Sequence, residues 1–193
     1  MHELLRQNIE RKIKLTDVEW NTVVEKTEFI KLKKNEFLQI QNTHSKYEGF
    51  VIKGSLKIYT LNENGTESIV FFAFKGDWIS DIESFYHQKP SKYNIKAIED
   101  CEILAISKPN KNLLFEEVPK MAVFNRLMIE RTNILIQKRL LDVLNKTSKE
   151  RYLDFIEKFP NETQKINNKN LSSYLGVSHE FLSKIKKKIE GYK

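Results

Sequence analysis

Between Phe29 and Ile106 the apolar residues fall into short runs that alternate with polar ones. A segment with period two buries one face only as a β-strand. The runs are Phe37-Leu38-Gln39-Ile40, Gly49-Phe50-Val51-Ile52, Ser55 to Tyr59, Glu67 to Phe74, Tyr93 to Ile98 and Cys101 to Ile106. Turn-forming residues separate them at Lys53-Gly54, Asn62-Glu63-Asn64-Gly65, Lys75-Gly76-Asp77 and Glu99-Asp100. Short strands at such even spacing predict an antiparallel sandwich or barrel.

On both sides the period returns to that of a helix. Leu4, Leu5, Ile9, Ile13, Val18, Trp20 and Val23 mark helix up to about residue 30, with Thr16 or Asp17 placed to cap a second segment. Pro109 ends the strands, and from Leu113 to about Lys146 the chain is helical again, with Pro119 as a break or first-turn residue. Leu127, Ile134 and Leu141 stand seven apart, as do Met121, Met128 and Leu135, so two adjacent apolar columns run down one long helix. Ile129, Ile136, Leu140 and Leu144 make further faces apolar. Such a helix needs more than one partner, and the expectation is the β domain on one side and the same helix of a second subunit on the other. Arg131 and Lys138 lie along the seam and weaken a strict coiled coil. Thr147 or Ser148 caps a further helix that Pro160-Asn161 closes.

Composition removes several function classes. No apolar run approaches a transmembrane length, and the charged N-terminus lacks the apolar stretch of a secretory signal, so a soluble cytoplasmic chain with no membrane partner is expected. The single cysteine, Cys101, forms no internal disulfide and excludes thiolate clusters; His2, His44, His87 and His179 share no i, i+4 spacing. Neither metal nor cofactor is expected. GxSxG, Walker, GxGxxG and HExxH signatures are all missing, which leaves an enzyme without a nucleophile or base to name. The net charge of +7 favours an anionic partner but does not select one. With 27 Lys to 6 Arg, most cations act as point charges on phosphate and cannot supply the bidentate fork that reads guanine.

The segment Asn168 to Lys187 fits a helix-turn-helix template. Leu171, Leu175, Leu182 and Ile185 are apolar where two crossed helices touch, Ser172 is small where their backbones approach, Gly176 supplies a left-handed turn, and Val177 packs beneath it. Ser178 is the expected N-cap of the second helix. With Leu182, Ile185 and Ile189 buried, that helix exposes His179, Glu180, Ser183, Lys184, Lys186, Lys187 and Lys188, polar groups for a groove followed by cations for phosphate. The lysines would equally suit a solvated helix end; the whole face favours DNA.

In these segments and in their order, the chain resembles the Crp/Fnr family of bacterial transcription regulators along nearly its whole length. Val51 to Ile58 resembles the family's first sensor hairpin, followed by the turn Asn62 to Glu67. Lys75 to Phe85 resembles the segment that opens the nucleotide pocket, and Arg151-Tyr152-Leu153 with Leu175 to Ile189 resembles the DNA-binding module. The resemblance implies an α+β fold: a jelly-roll-like β-roll sensor domain at 1–108, a long dimerisation helix at 109–147 and a reduced winged helix-turn-helix domain at 148–193. It further implies a homodimer on a two-fold symmetric operator, with RNA polymerase and a small-molecule effector as further partners. On the family's arginine, glutamate and arginine reading trio fall His179, Glu180 and Lys184, so the target sequence is expected to differ. In the effector pocket the ribose-binding Gly-Glu pair falls on Ser80-Asp81, and the phosphate-binding Arg-Ser pair falls on or beside Pro90-Ser91, with Lys89 or Lys92 as the nearest cations. Without a guanidinium, burying a phosphodiester costs several kcal/mol, so cyclic AMP is not the expected effector. Trp78, Phe71, Phe72 and Phe74 offer the lining of an apolar ligand cavity, but the expectation is that they fill the β-roll, and Cys101 is expected to be a packed small hydrophobe. A reading from another class is a ligand-binding signalling module whose C-terminal helices dock a protein, motivated by Phe181 beside the polar face.

Overall fold

A computed structural model describes residues 2–190. The chain opens with α1 (Glu3–Glu10) and α2 (Asp17–Lys26). Thr16 is the cap of α2: its hydroxyl accepts from the Glu19 amide at 3.2 Å, and its own amide donates to the Glu19 carboxylate at 2.7 Å. The strands follow as β1 (Glu28–Leu32), β2 (Phe37–Gln39), β3 (Tyr47–Lys53), β4 (Leu56–Leu61), β5 (Glu67–Ala73), β6 (Trp78–Ile79), β7 (Asn94–Ala97) and β8 (Cys101–Ser107), with the short helix α3 (Ile82–His87) between β6 and β7. Two antiparallel four-stranded sheets result, in the orders β1-β8-β3-β6 and β2-β7-β4-β5. The predicted runs recur as strands; β1 and the two-residue β6 are additions that pair with β8 and β3.

Between the sheets Val51, Leu56, Ile79, Ile95, Ile103 and Ala105 form one apolar core. The β3–β4 turn is locked by Gly54 at φ +88°, where an added Cβ would fall 2.5 Å from the Asp100 carbonyl oxygen. A second core lies where α1 and α2 cover the first sheet: Leu5, Ile9, Trp20, Val23, Phe50 and Leu104 meet Leu114 and Phe124. Trp78 packs against this second cluster and not into the roll, its ring 5.3 Å from Phe50 and 6.0 Å from Phe124.

The helical stretch expected from Leu113 begins earlier and is broken. The helix α4 spans Lys108–Glu117, with Ser107 as N-cap and Pro109 in its first turn, so the proline that ends the strands also starts a helix. Pro119 separates it from α5 (Lys120–Asn145). Thr147, by the same reciprocal capping as Thr16, starts α6 (Ser148–Lys158). Then come α7 (Asn168–Leu175), capped by Asn167, and α8 (His179–Glu190). A third core gathers Tyr152, Phe155, Leu171, Leu175, Leu182 and Ile185 from these last helices. It also takes in Phe72 of β5 and Phe74 immediately after that strand, which corrects the expectation that both fill the roll. Ala73 points between the sheets, so by alternation its two neighbours point outward, where α6 and α7 cover them. Phe72 lies 5.2 Å from Tyr174, and Phe74 4.9 Å from Phe159.

Candidate nucleic-acid interface and sensor pocket

Gly176 ends α7 at φ 69°, ψ 37°, the left-handed turn the motif requires, and the Val177 amide donates to the Ser172 carbonyl at 3.0 Å. The Ser178 hydroxyl accepts from the Phe181 amide at 3.1 Å and so fixes the first turn of α8. Leu182 and Ile185 are buried against α6 and α7, whereas Ser178, His179, Glu180, Lys184, Lys187 and Lys188 are exposed. The expected outward ridge is therefore present and open. Two of its members are engaged inward: Ser183 donates back to the His179 carbonyl at 3.0 Å, and the half-buried Lys186 donates to Asn168 Oδ1. Its own backbone amide and the Ser178 hydroxyl, with the charges of His179 and Lys184 behind them, hold the Glu180 carboxyl below the usual range. Glu180 is thus an acceptor at any pH near neutrality. The side chain of Ile189 lies outside the described residues.

What holds this ridge in place is the sensor. The Ser173 hydroxyl accepts from the Ile69 amide at 3.0 Å and donates to the Glu67 carbonyl at 2.6 Å, so one side chain of α7 satisfies two backbone groups on the free edge of β5. Lys57 of β4 pairs with Glu67 and donates to Asn170 Oδ1 at 3.2 Å. Arg139 of α5 donates to the Val70 carbonyl and, at 3.2 Å, to the Tyr174 carbonyl, with its guanidinium 4.2 Å from the Tyr174 ring centroid. Burial lowers the Arg139 pKa and raises that of the Tyr174 phenol. Among the C-terminal helices, Arg151 joins α6 to the end of α7 by donating to the Leu175 carbonyl at 3.0 Å. Sequence reading missed Arg139 and Ser173. The one available signal is an arginine amid the apolar columns of α5, which marks a side chain with a specific acceptor.

The predicted effector residues divide. Asp81 and Ser91 are both buried and meet at 2.7 Å, Ser91 Oγ donating to Asp81 Oδ2, while Asp81 Oδ1 accepts from the Ser84 amide as the cap of α3. Ser80 lies next to them, its hydroxyl 3.5 Å from the Tyr47 carbonyl. Lys92 is exposed and pairs with Glu83 at 3.6 Å; Lys89 is exposed as well. Beside this group a cleft of about 830 Å³ opens between β5, β6 and α3 on one wall and α5 on the other, lined by Phe71, Trp78, Ile79, Phe124, Met128 and Leu135 among others. Its buried cation, Lys111, is bound by both oxygens of Glu48, at 2.8 and 2.7 Å. The carboxylate that would reach a ribose is already hydrogen-bonded within the protein, and this buried lysine is neutralised.

The dimer-helix residues divide by height. Met121 is buried in the second core, Leu127 and Met128 are half-buried, and Ile134, Leu135 and Leu141 are exposed. From Ile134 to Leu144 the helix carries seven exposed large apolar side chains, with Leu141 at 57% and Leu144 at 71%. Among the described residues no group of His, Cys, Asp and Glu is arranged to hold a metal ion, and no helix is long and apolar enough to cross a membrane.

Comparison with known proteins places this geometry in a class. Residues 29–117 match the family model of the cyclic nucleotide-binding domain. No curated protein matches the chain. Among solved structures, the chain is similar to the c-di-GMP-responsive global regulator CLP of Xanthomonas campestris (TM-score 0.74, 12% identity, covering 91% of this chain and 92% of that one). It is similar also to FixK2 of Bradyrhizobium japonicum (TM-score 0.74, 16% identity, 86% and 85% covered). A third is a regulator of the Crp/Fnr family from Eubacterium rectale (TM-score 0.69, 15% identity, 92% and 85% covered). Residues 29–117 are thus similar to the cyclic nucleotide-binding domain, and the chain as a whole has the α+β fold seen in solved Crp/Fnr-type regulators.

Proposed function

We propose that the chain is a sequence-specific DNA-binding regulator of transcription. It acts as a homodimer on a two-fold symmetric operator and responds, where it responds at all, to an effector other than cyclic AMP. The observation that carries the reading is the outward ridge of α8: Glu180 fixed as an acceptor, with His179, Lys184, Lys187 and Lys188 exposed around it and Leu182 and Ile185 hidden beneath. The exposed lower half of α5 supports pairing of two copies, which sets two recognition helices about one turn of DNA, roughly 34 Å, apart. The bond between Ser91 and Asp81 and the pairing of Lys111 with Glu48 support an effector that is not a cyclic phosphodiester.

Selection of bound duplexes from random DNA by the purified protein, with and without cyclic AMP, tests the reading. A palindromic sequence, affinity that falls steeply with salt and indifference to the nucleotide are expected. Replacing Lys184 and Lys187 by Glu should abolish binding and leave the dimer intact; unchanged binding would move the function to a protein-docking role.

A further inference from the structure

Phe181 is the one feature of the α8 ridge that phosphate contacts and hydrogen-bonded readout leave unexplained. It is a large aromatic, 49% exposed, in the first turn of a helix whose Leu182 is fully buried and whose Ile185 is nearly so. Its position is not loose, because its amide is the one held by the Ser178 cap. It follows Glu180 directly and lies one turn before Lys184 on the same side, so it stands at the end of the helix that enters the groove first. A major groove offers polar base edges almost everywhere; its apolar group is the 5-methyl of thymine.

We propose that Phe181 is a specificity-determining residue that packs on a thymine methyl group, at a base pair next to or one removed from the one Glu180 reads. The proposal rests on the DNA reading above and deepens it, by assigning an apolar element to the operator. Hydrogen-bonding groups of the ridge set the G·C positions, and the phenyl ring requires a T in a defined register with them. Withdrawal of one methyl-sized group from water is worth about 0.8 kcal/mol, or roughly fourfold in affinity.

The test uses the full chain and its selected operator, with each thymine of a half-site replaced singly by deoxyuridine, which removes the methyl and keeps the pairing. Wild type should lose about fourfold at one thymine per half-site. Phe181→Ala should bind more weakly, show no loss at that same thymine and keep its sensitivity to changes at the Glu180 position. Phe181→Leu should restore part of the methyl dependence. Equal binding by wild type to every uracil-containing operator, or a uracil penalty that survives in Phe181→Ala, overturns the proposal while leaving the DNA reading standing. Failure of wild type to bind any duplex overturns both.

Discussion

Cys101 shows how environment decides a residue's chemistry. Its thiol is 2% exposed, and burial, the first cause, pushes its pKa up to about 11 from an ordinary 9.0. At pH 8 the native thiol should react with iodoacetamide on the order of a hundredfold more slowly than in urea, followed by mass spectrometry. Because the folded value lies above the unfolded one, the stabilisation it carries is full below pH 9 and is lost as pH rises through about 11. Two glycines in left-handed turns separate a backbone effect from a steric one. At Gly176 an added Cβ meets nothing within 4 Å, so Gly176→Ala should cost only the conformational penalty, about 1 kcal/mol, and lower the melting temperature by about 2–4 °C. At Gly54 the Cβ would fall on the Asp100 carbonyl, and the same substitution should lower it considerably more. That Gly54 and Gly176 sit in turns is legible from their flanking residues. That Gly54 is pressed against Asp100 is not, because the two are brought together by the pairing of β3 with β8.

Among elements, β5 has two roles. One face carries Ala73 into the roll, while Phe72 on the other face, with Phe74 just past the strand end, enters the core of the C-terminal helices. Its free edge is closed by Ser173 of α7. Ser173→Ala should therefore leave the Ile69 amide without its partner, costing about 1 kcal/mol and speeding hydrogen exchange at Ile69 specifically. A larger consequence concerns independence. The 148–193 segment expected as a domain of its own shares its core with the sensor, so the excised segment should give the circular dichroism of a mostly unfolded chain. A cooperative melt of the isolated segment would show that Phe72 and Phe74 are dispensable. The strand itself is legible in the run Glu67 to Phe74, but nothing in that run says that Phe72 faces α6 and α7 and not the interior of the roll.

For the whole molecule the decisive surface is the lower half of α5. Its apolar columns are visible as residues seven apart, yet packing sorts them: Met121 is consumed by the core under α1 and α2, while Ile134 and Leu141 are left uncovered. Replacing Ile134 and Leu141 by Asp should convert a dimer to the 22.9 kDa monomer in sedimentation without loss of helix, and should weaken operator binding. A wild type that sediments as a monomer at micromolar concentration would sink the two-fold operator. Asp81 and Ser91, which the family resemblance assigns to one pocket, do meet in the fold. The pairing of Lys111 with Glu48 is not legible in the sequence, since it unites a helix and a strand 63 residues apart.

Periodicity, caps and turns are local rules acting over a few residues, and they are enough to assign most strands, the long helix, the helix-turn-helix and its outward polar ridge from the order of amino acids. Which apolar face covers which, and which buried charge finds which partner, depends on segments tens of residues apart meeting in space. For that reason the grip of Ser173 and Arg139 on β5, the core that the C-terminal helices share with the β domain, and the pairing of Lys111 with Glu48 emerge from the folded arrangement alone.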